Sequence, residues 1–426
     1  MKRPKRVLVT VVAAGLLASC GEGPGNEPAA SPPEVRTGAA APAPSPSPSP
    51  TGPRTRLSVP SLYDTSRGWE SDLPGTQIPL PHSGAVAVFR EGGRNDGTFT
   101  VLDVTSGKVS WKADLKGPGI VSAFAISVQG VDYLVATASG AEGADVVSKG
   151  REITTIDIYA GRATGDDVAP LRHLELDGDG SVGNGGGGLL ATFDDDVVMT
   201  VDPATGATEK YDLRKMKPPA GECKLCFGST KAVAVTSRGP LLSVKSGFRH
   251  HYWVPGAWRS GTLTTGRPEQ TFITPVGDLL VATWRDKGAR DDTWAVLDPA
   301  TAKVRAKVEC AADQEAGEIK GFFRSAGGRY LVRGYTAFDL EKGTGHCFEE
   351  TDRDKPVLLT GVTDDGVAFG TGASTAEQAD PRVTVDLATG QVELADYIVA
   401  PFGDYSGYGL FWEDSTDTMV AYPRVG

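Results

Sequence analysis

Five cysteines, five histidines and a few aspartate-rich runs are the groups in these 426 residues whose type and spacing could do chemistry. Cys223-Lys-Leu-Cys226 has the spacing of a redox pair, but such a pair opens a helix in a βαβ unit, and none surrounds it. A zinc site needs a second close ligand pair, which the spacing does not offer. With Cys310 and Cys347 these thiols make an even set. In an oxidising exterior that reads as disulfides, with three possible connectivities. Local closure of Cys223 with Cys226 leaves Cys310 for Cys347. His250 and His251 are adjacent, so in a strand they point to opposite faces and make a poor chelate. Asp177-Gly-Asp-Gly-Ser181 begins like a calcium loop, but Gly188 stands where the bidentate glutamate belongs, and a glycine-rich surface loop is expected instead. Asp194-Asp-Asp196 reads as a solvated turn, and the aromatic stretch 248–258 as core. The sequence has no Gly-x-Ser-x-Gly elbow, phosphate loop or His-Glu-x-x-His helix. Catalytic residues, metal and cofactor are therefore all expected to be none.

The elements that would position these groups are strands. From about residue 57 onward, short β-rich runs alternate with Gly, Asp and Pro clusters, with almost no helical periodicity. Eight compact apolar runs begin at Ala85, Tyr133, Leu189, Ala232, Leu279, Tyr330, Val367 and Leu410, a mean step of about 46 residues. Four strands and their turns fit that period. A second signal is a turn after the following strand: Asp103 to Gly107, Asp157 to Gly161, Asp202 to Gly206, Asp298 to Ala302, Asp339 to Gly343 and Asp386 to Gly390. Asp bonds its own backbone, and Gly tolerates the left-handed conformation that re-enters the next strand. Ala302 in the glycine place should cost on the order of 1 kcal/mol. The fourth repeat lacks the Asp, and Lys245-Ser-Gly247 is expected to turn there. Cys310 and Cys347 follow equivalent turns of consecutive repeats, so a staple between neighbouring units is reasonable.

The stretch Thr98-Phe-Thr-Val-Leu-Asp-Val-Thr-Ser-Gly-Lys-Val-Ser-Trp111 resembles the pyrroloquinoline-quinone-like repeat of quinoprotein-type β-propellers. The resemblance covers roughly residues 60–426. It implies an all-β fold, a single β-propeller of eight blades with seven as the alternative. It does not carry over the quinone, because the adjacent-cysteine pair of many quinone dehydrogenases is missing. The repeat's tryptophan matches at Trp111, whereas Lys210, Ala306 and Leu394 stand near that place in other copies. Tyr63-Asp-Thr-Ser-Arg-Gly68-Trp69 reads as the end of a repeat, and residues 410–422 as the beginning of one. Joined, they would make the eighth blade and close the ring, which leaves only short protected edges. Such a closure needs Trp69 near Met419.

The first residues are Met1-Lys-Arg-Pro-Lys-Arg6, then an apolar run ending in Leu17-Ala-Ser-Cys20. A basic start and an apolar stretch too short to span a bilayer make a secretory signal. Leu-Ala-Ser-Cys resembles the lipobox of bacterial lipoproteins. That resemblance implies residues 1–19 as a cleaved signal, a diacylglyceryl group on Cys20 (palmitate among the chains expected on such a cysteine), and a place on the outer face of the bacterial cytoplasmic membrane. Residues 20–56, rich in Pro, Ser and Ala, read as an extended unfolded spacer, and 57–426 as the propeller domain. The net charge is −11, and loss of Lys2, Arg3, Lys5 and Arg6 leaves −15. That acidity counts against nucleic acid as a partner.

Address, repeats and the missing catalytic constellation together point to a non-catalytic binding or scaffolding module. It would be a monomer, anchored to the membrane by lipid, holding a protein or cell-envelope ligand. The alternatives are a quinoprotein-like dehydrogenase or other propeller enzyme, and a sensory accessory to a membrane kinase or transporter. Carboxylates converging on one funnel would favour an enzyme. A channel lined with backbone and small side chains would favour binding.

Overall fold

The aspartate turns are built alike. In each of five, an N–H four residues on donates to the aspartate carbonyl at 2.7 to 2.9 Å: Gly107 to Asp103, Gly206 to Asp202, Ala302 to Asp298, Gly343 to Asp339 and Gly390 to Asp386. The carboxylate accepts further turn N–H groups, such as Ser106 on Asp103 at 2.9 Å and Thr301 on Asp298 at 2.9 Å. The fifth residue is left-handed in all five, including Ala302 at φ 57°. These turns join the third and fourth strands of five of the antiparallel sheets. In this computed structural model the described residues are 52–425, apart from 144–148, 194–195, 221–225, 248, 264–270, 287, 312–320 and 374–379, and from the side chains of 227, 228 and 271. They belong to one compact unit, Pro50–Gly426.

The architecture is all-β and propeller-like. Among the described residues, thirty-two strands fall into four-stranded groups, each in simple up-and-down order. We label them sheets I (76–116), II (121–177), III (180–212), IV (227–259), V (271–311), VI (323–347), VII (357–394) and VIII (403–423 with Trp69–Ser71). Sheets V and VI are joined edge to edge through one parallel pair, Lys307 with Thr344, between their fourth strands. Eight apolar clusters hold the sheets, and each straddles two consecutive ones. Ala85, Ala87 and Val101 of sheet I pack toward sheet II, while Val86, Val88 and Leu102 pack toward sheet VIII. A strand buried on both faces must be apolar at every position, which is why these runs read as unbroken rather than alternating. Seven of the eight runs are second strands. The run at Ala232 instead lies in the first strand of sheet IV, Phe227–Thr236, and Leu241 and Leu242 fill the second-strand place.

Two further expectations are corrected. Asp157 lies inside a strand, Arg151–Ala160, opposite His173. Gly161 is not left-handed, and its N–H bonds the Asp132 carbonyl at 2.9 Å. Burial of Ile156 and Ile158 continues the strand through the aspartate and outweighs its turn preference. Lys245-Ser-Gly247 does turn, but between the second and third strands of sheet IV. The third-to-fourth turn there is Val254 to Ala257, with Gly256 left-handed.

Trp69–Ser71 pairs antiparallel with Met419–Ala421, Ser71 opposite Met419 and Trp69 opposite Ala421. The chain is engaged before residue 57: Thr55 N–H donates to Glu70 at 2.9 Å, and the Tyr422 hydroxyl donates to the Thr55 carbonyl at 2.8 Å. Leu57 and Val59 are buried between sheets VII and VIII. The folded body thus starts a few residues earlier than the composition change suggests. Among the described residues no helix is long and apolar enough to cross a membrane. The signal, Cys20, most of the 20–56 spacer, Cys223, Asp194, Asp195 and Phe248 lie outside the described residues.

Candidate binding cleft

The described members of the cysteine, histidine and acidic sets are placed apart from one another, save for Cys310 with Cys347 and for neighbours in sequence. Cys310 and Cys347 form a disulfide with Cα atoms 5.8 Å apart, linking the fourth strands of sheets V and VI. Cys226 is disulfide-bonded. His250 and His251 are half-buried neighbours on the third strand of sheet IV, and His250 stacks on Tyr252 with ring centroids 6.0 Å apart. Burial, with Lys245 beside it, lowers the His250 pKa. Tyr252, Trp253 and Trp258 are core. Asp177 pairs with Arg151, and the corner after it is bound by hydroxyls: Thr154 Oγ1 donates to Gly178 at 2.8 Å and Ser139 Oγ to Gly180 at 2.6 Å. That corner is a tight connection rather than a cation loop.

A recess among the described residues lies beside it. Sheet II carries an overlong hairpin: its second strand runs Val131–Glu142, whereas the first strand pairs only as far as Ala138. Residues 139–142 therefore project past the end of the sheet, paired only with residues 151–154. Between this projection, the connection through Pro118, Gly119 and Ile120, and the first strand of sheet III is a cleft of about 680 Å³. Its polar lining is Ser122, Thr137, Ser139 and Ser181, with Arg94 and Asn95 at one end. Glycines set its shape, because a Cβ on Gly119 would stand 2.2 Å from the Ser139 carbonyl and one on Gly140 2.5 Å from that of Pro118. Strand and connection can cross so closely only without side chains. Its volume falls in the ordinary range of ligand sites. Among the described lining residues Arg94 is the one ionisable group.

A second cavity of about 200 Å³ lies among the first strands of sheets I, VI, VII and VIII, with Pro79, Phe322, Phe402 and Tyr405 in its wall. It does hold a carboxylate, Asp404, but that group is engaged. Asp404 accepts from the Tyr63 hydroxyl and from two nitrogens of Arg424, which also reaches Asp365 at 3.0 Å. Burial pushes the Asp404 carboxyl up against the opposing pull of Arg424 and Tyr63. It ties the two ends of the folded unit together and is not free to act on a ligand. On size and freedom from internal partners, the cleft over sheets I to III is the better candidate.

The cleft is not legible in the residues alone. Its signal was there as an unusually long β-run, Val131–Glu142, interrupted by Gly140 and preceded by Gly117-Pro-Gly119, which reads as close backbone crossing only once both partners are known.

No family model matches the chain, and no curated protein matches it. Among solved structures, a chain from a structural and mechanistic study of two prolyl endopeptidases is similar, at 13% identity over 80% of this chain, with a TM-score of 0.34. This chain spans about half of that neighbour, 51% of its length.

Proposed function

We propose that the chain is an extracytoplasmic, lipid-anchored, eight-bladed propeller that acts as a non-catalytic binding module, holding a protein ligand in the cleft over sheets I to III. Eight blades are supported over seven by the division of thirty-two strands into groups of four. Closure is supported by the pairing of Trp69–Ser71 with Met419–Ala421 and by the cluster that Val86 and Leu102 share with Leu410 and Met419. Such a disc gives rigid walls, and the spacer before it gives reach from a lipid on Cys20. The observation that carries binding rather than catalysis is the cleft lining itself, backbone and small hydroxyl side chains with no free acid or base among the described residues. A quinone-dependent reaction has no support in this lining.

The test is a photoreactive residue placed in intact cells at Ile120, which is 62% exposed at the cleft rim, or at Leu394, 82% exposed on the fourth strand of sheet VII. One reproducible protein adduct from position 120 and none from position 394 is the expected result. Equal labelling from both, or none, refutes the cleft as the binding site.

A further inference from the structure

The cleft is bordered by two strand edges whose main-chain groups are open. In sheet II, Gln129 and Gly130 both have positive φ, 52° and 76°, the two-residue turn that makes Val128 and Val131 a hydrogen-bonded pair. From there every second residue of the strand turns its N–H and C=O toward the first strand. The phase is checked by Asp132, whose carbonyl accepts the Gly161 N–H on the opposite side. Ser139 and Ala141 therefore face the first-strand side, beyond the point where that strand ends. Gly119 lies against the Ser139 carbonyl, so the open edge begins at Ala141. Among the described residues nothing bonds the Ala141 main chain on that side.

Sheet III supplies the second edge. Gly185 N–H donates to the Gly188 carbonyl at 2.9 Å, which turns that N–H toward the second strand and sets the phase of the first. Gly180 and Val182 then point away from the second strand. Gly180 uses that direction, since its N–H bonds Thr154 Oγ1 at 2.9 Å and its carbonyl accepts from Ser139. Val182 does not, and no described residue meets its N–H or C=O. Both Ala141 and Val182 line the cleft.

We infer that the cleft takes an extended peptide by strand addition, its main chain bonded at Ala141 and Val182 and a carboxylate of the peptide set against Arg94. The inference rests on the binding reading above and names its ligand class. Unpaired edges are templates for another chain, and main-chain bonds supply affinity where side-chain pockets are shallow. Arg94 is the single charged group of the described lining, on a protein of net charge −11, so it selects a negative end. That carboxylate is a chain terminus or an Asp or Glu side chain, which the experiment separates.

The full-length protein in detergent is panned against a displayed library of random linear peptides, and an enriched peptide is synthesised as the free acid and as the amide. Ala141→Pro and Val182→Pro each delete an N–H that no described residue uses, and each should weaken binding roughly tenfold. Leu394→Ser, on the fourth strand of sheet VII and outside the cleft lining, should bind as the parent does. Amide exchange at Ala141 and Val182 in the unaltered protein should slow when the peptide is added, a readout independent of how the proline variants fold. Arg94→Gln should erase the preference for acid over amide if the terminus is read, or for Asp and Glu within the peptide if a side chain is. Undiminished binding to both proline variants with no slowed exchange overturns strand addition and leaves the binding reading standing. A partner crosslinked at position 120 with no peptide enriched does the same. Neither crosslink nor peptide overturns both.

Discussion

Trp69 lies against the turn closed by Gly107: a Cβ built on that glycine would come within 2.6 Å of the indole, and Trp69 Nε1 donates to the Val104 carbonyl at 2.7 Å. The fourth strand of sheet VIII thus sets a side chain on the aspartate turn of sheet I. The device recurs along the chain. Trp111 Nε1 reaches the Gly161 carbonyl at 3.5 Å, and Trp258 Nε1 the Pro299 carbonyl at 2.9 Å. Arg172 sits by Gly206 and His346 by Gly390, where a Cβ would stand 3.2 and 3.1 Å away.

Gly107→Ala meets both penalties at once. A left-handed alanine costs about 1 kcal/mol, and a methyl driven into the indole adds about 2 kcal/mol. A loss of about 3 kcal/mol in chemical denaturation is expected. Ala302→Gly is the contrast: it relieves about 1 kcal/mol of backbone strain but gives up a buried methyl of about 0.8 kcal/mol, so stability should barely move. Equal effects would show that the turn's conformation, and not its neighbour, sets the cost.

Arg424→Ala leaves Asp404, whose side chain is 5% exposed, without its charge partner. Removing one member of a buried pair should cost about 3 kcal/mol. Arg424→Lys should recover only part of it, because a single ammonium cannot make two bonds to one carboxylate. Unchanged melting of Arg424→Ala would mean that the ends of the folded unit are held by strand pairing and core alone.

His173 lies between Asp157, 2.6 Å away, and Glu175, 3.7 Å away. Burial works against its protonated form, but the hydrogen bond and charge of Asp157, helped by Glu175, outweigh it and raise the pKa. A raised folded pKa adds stability that is complete below the unfolded value of about 6.5 and is lost as pH rises through the folded one. The histidine is half exposed, so the effect is screened and small. Melting temperature measured across that window should fall slightly, and His173→Gln should flatten this part of the profile.

Cys310 and Cys347 are 37 residues apart in sequence. Replacing both with serine frees a loop of that length in the unfolded chain and should cost about 3 to 4 kcal/mol. The loss should equal that seen on reduction of this bond alone. A much smaller loss would indicate that the Lys307 and Thr344 pairing already holds sheets V and VI together.

Cys20→Ser removes the proposed acylation site. Two acyl chains anchor stably where one does not, so the altered protein should appear in the culture medium while the parent stays with the membrane fraction. Retention of the altered protein on membranes would sink the lipid anchor.

What could be read from residues alone were the features with a local cause. An aspartate that bonds its own turn, a glycine that accepts positive φ, and a strand apolar at every position all act within about ten residues, and their recurrence exposed the repeat. Asp157 and the Ala232 run went astray where burial between sheets overrode the local preference, a competition settled by residues far away in sequence. The pairing of Trp69 with Ala421 was legible as two half-repeats, yet the engagement of Thr55 was not, since Tyr422 and Glu70 must first be in place. The cleft belongs wholly to the tertiary structure. Ala141 and Val182 are unremarkable letters, and only the end of one strand and the phase of another leave their main-chain groups facing the same open space.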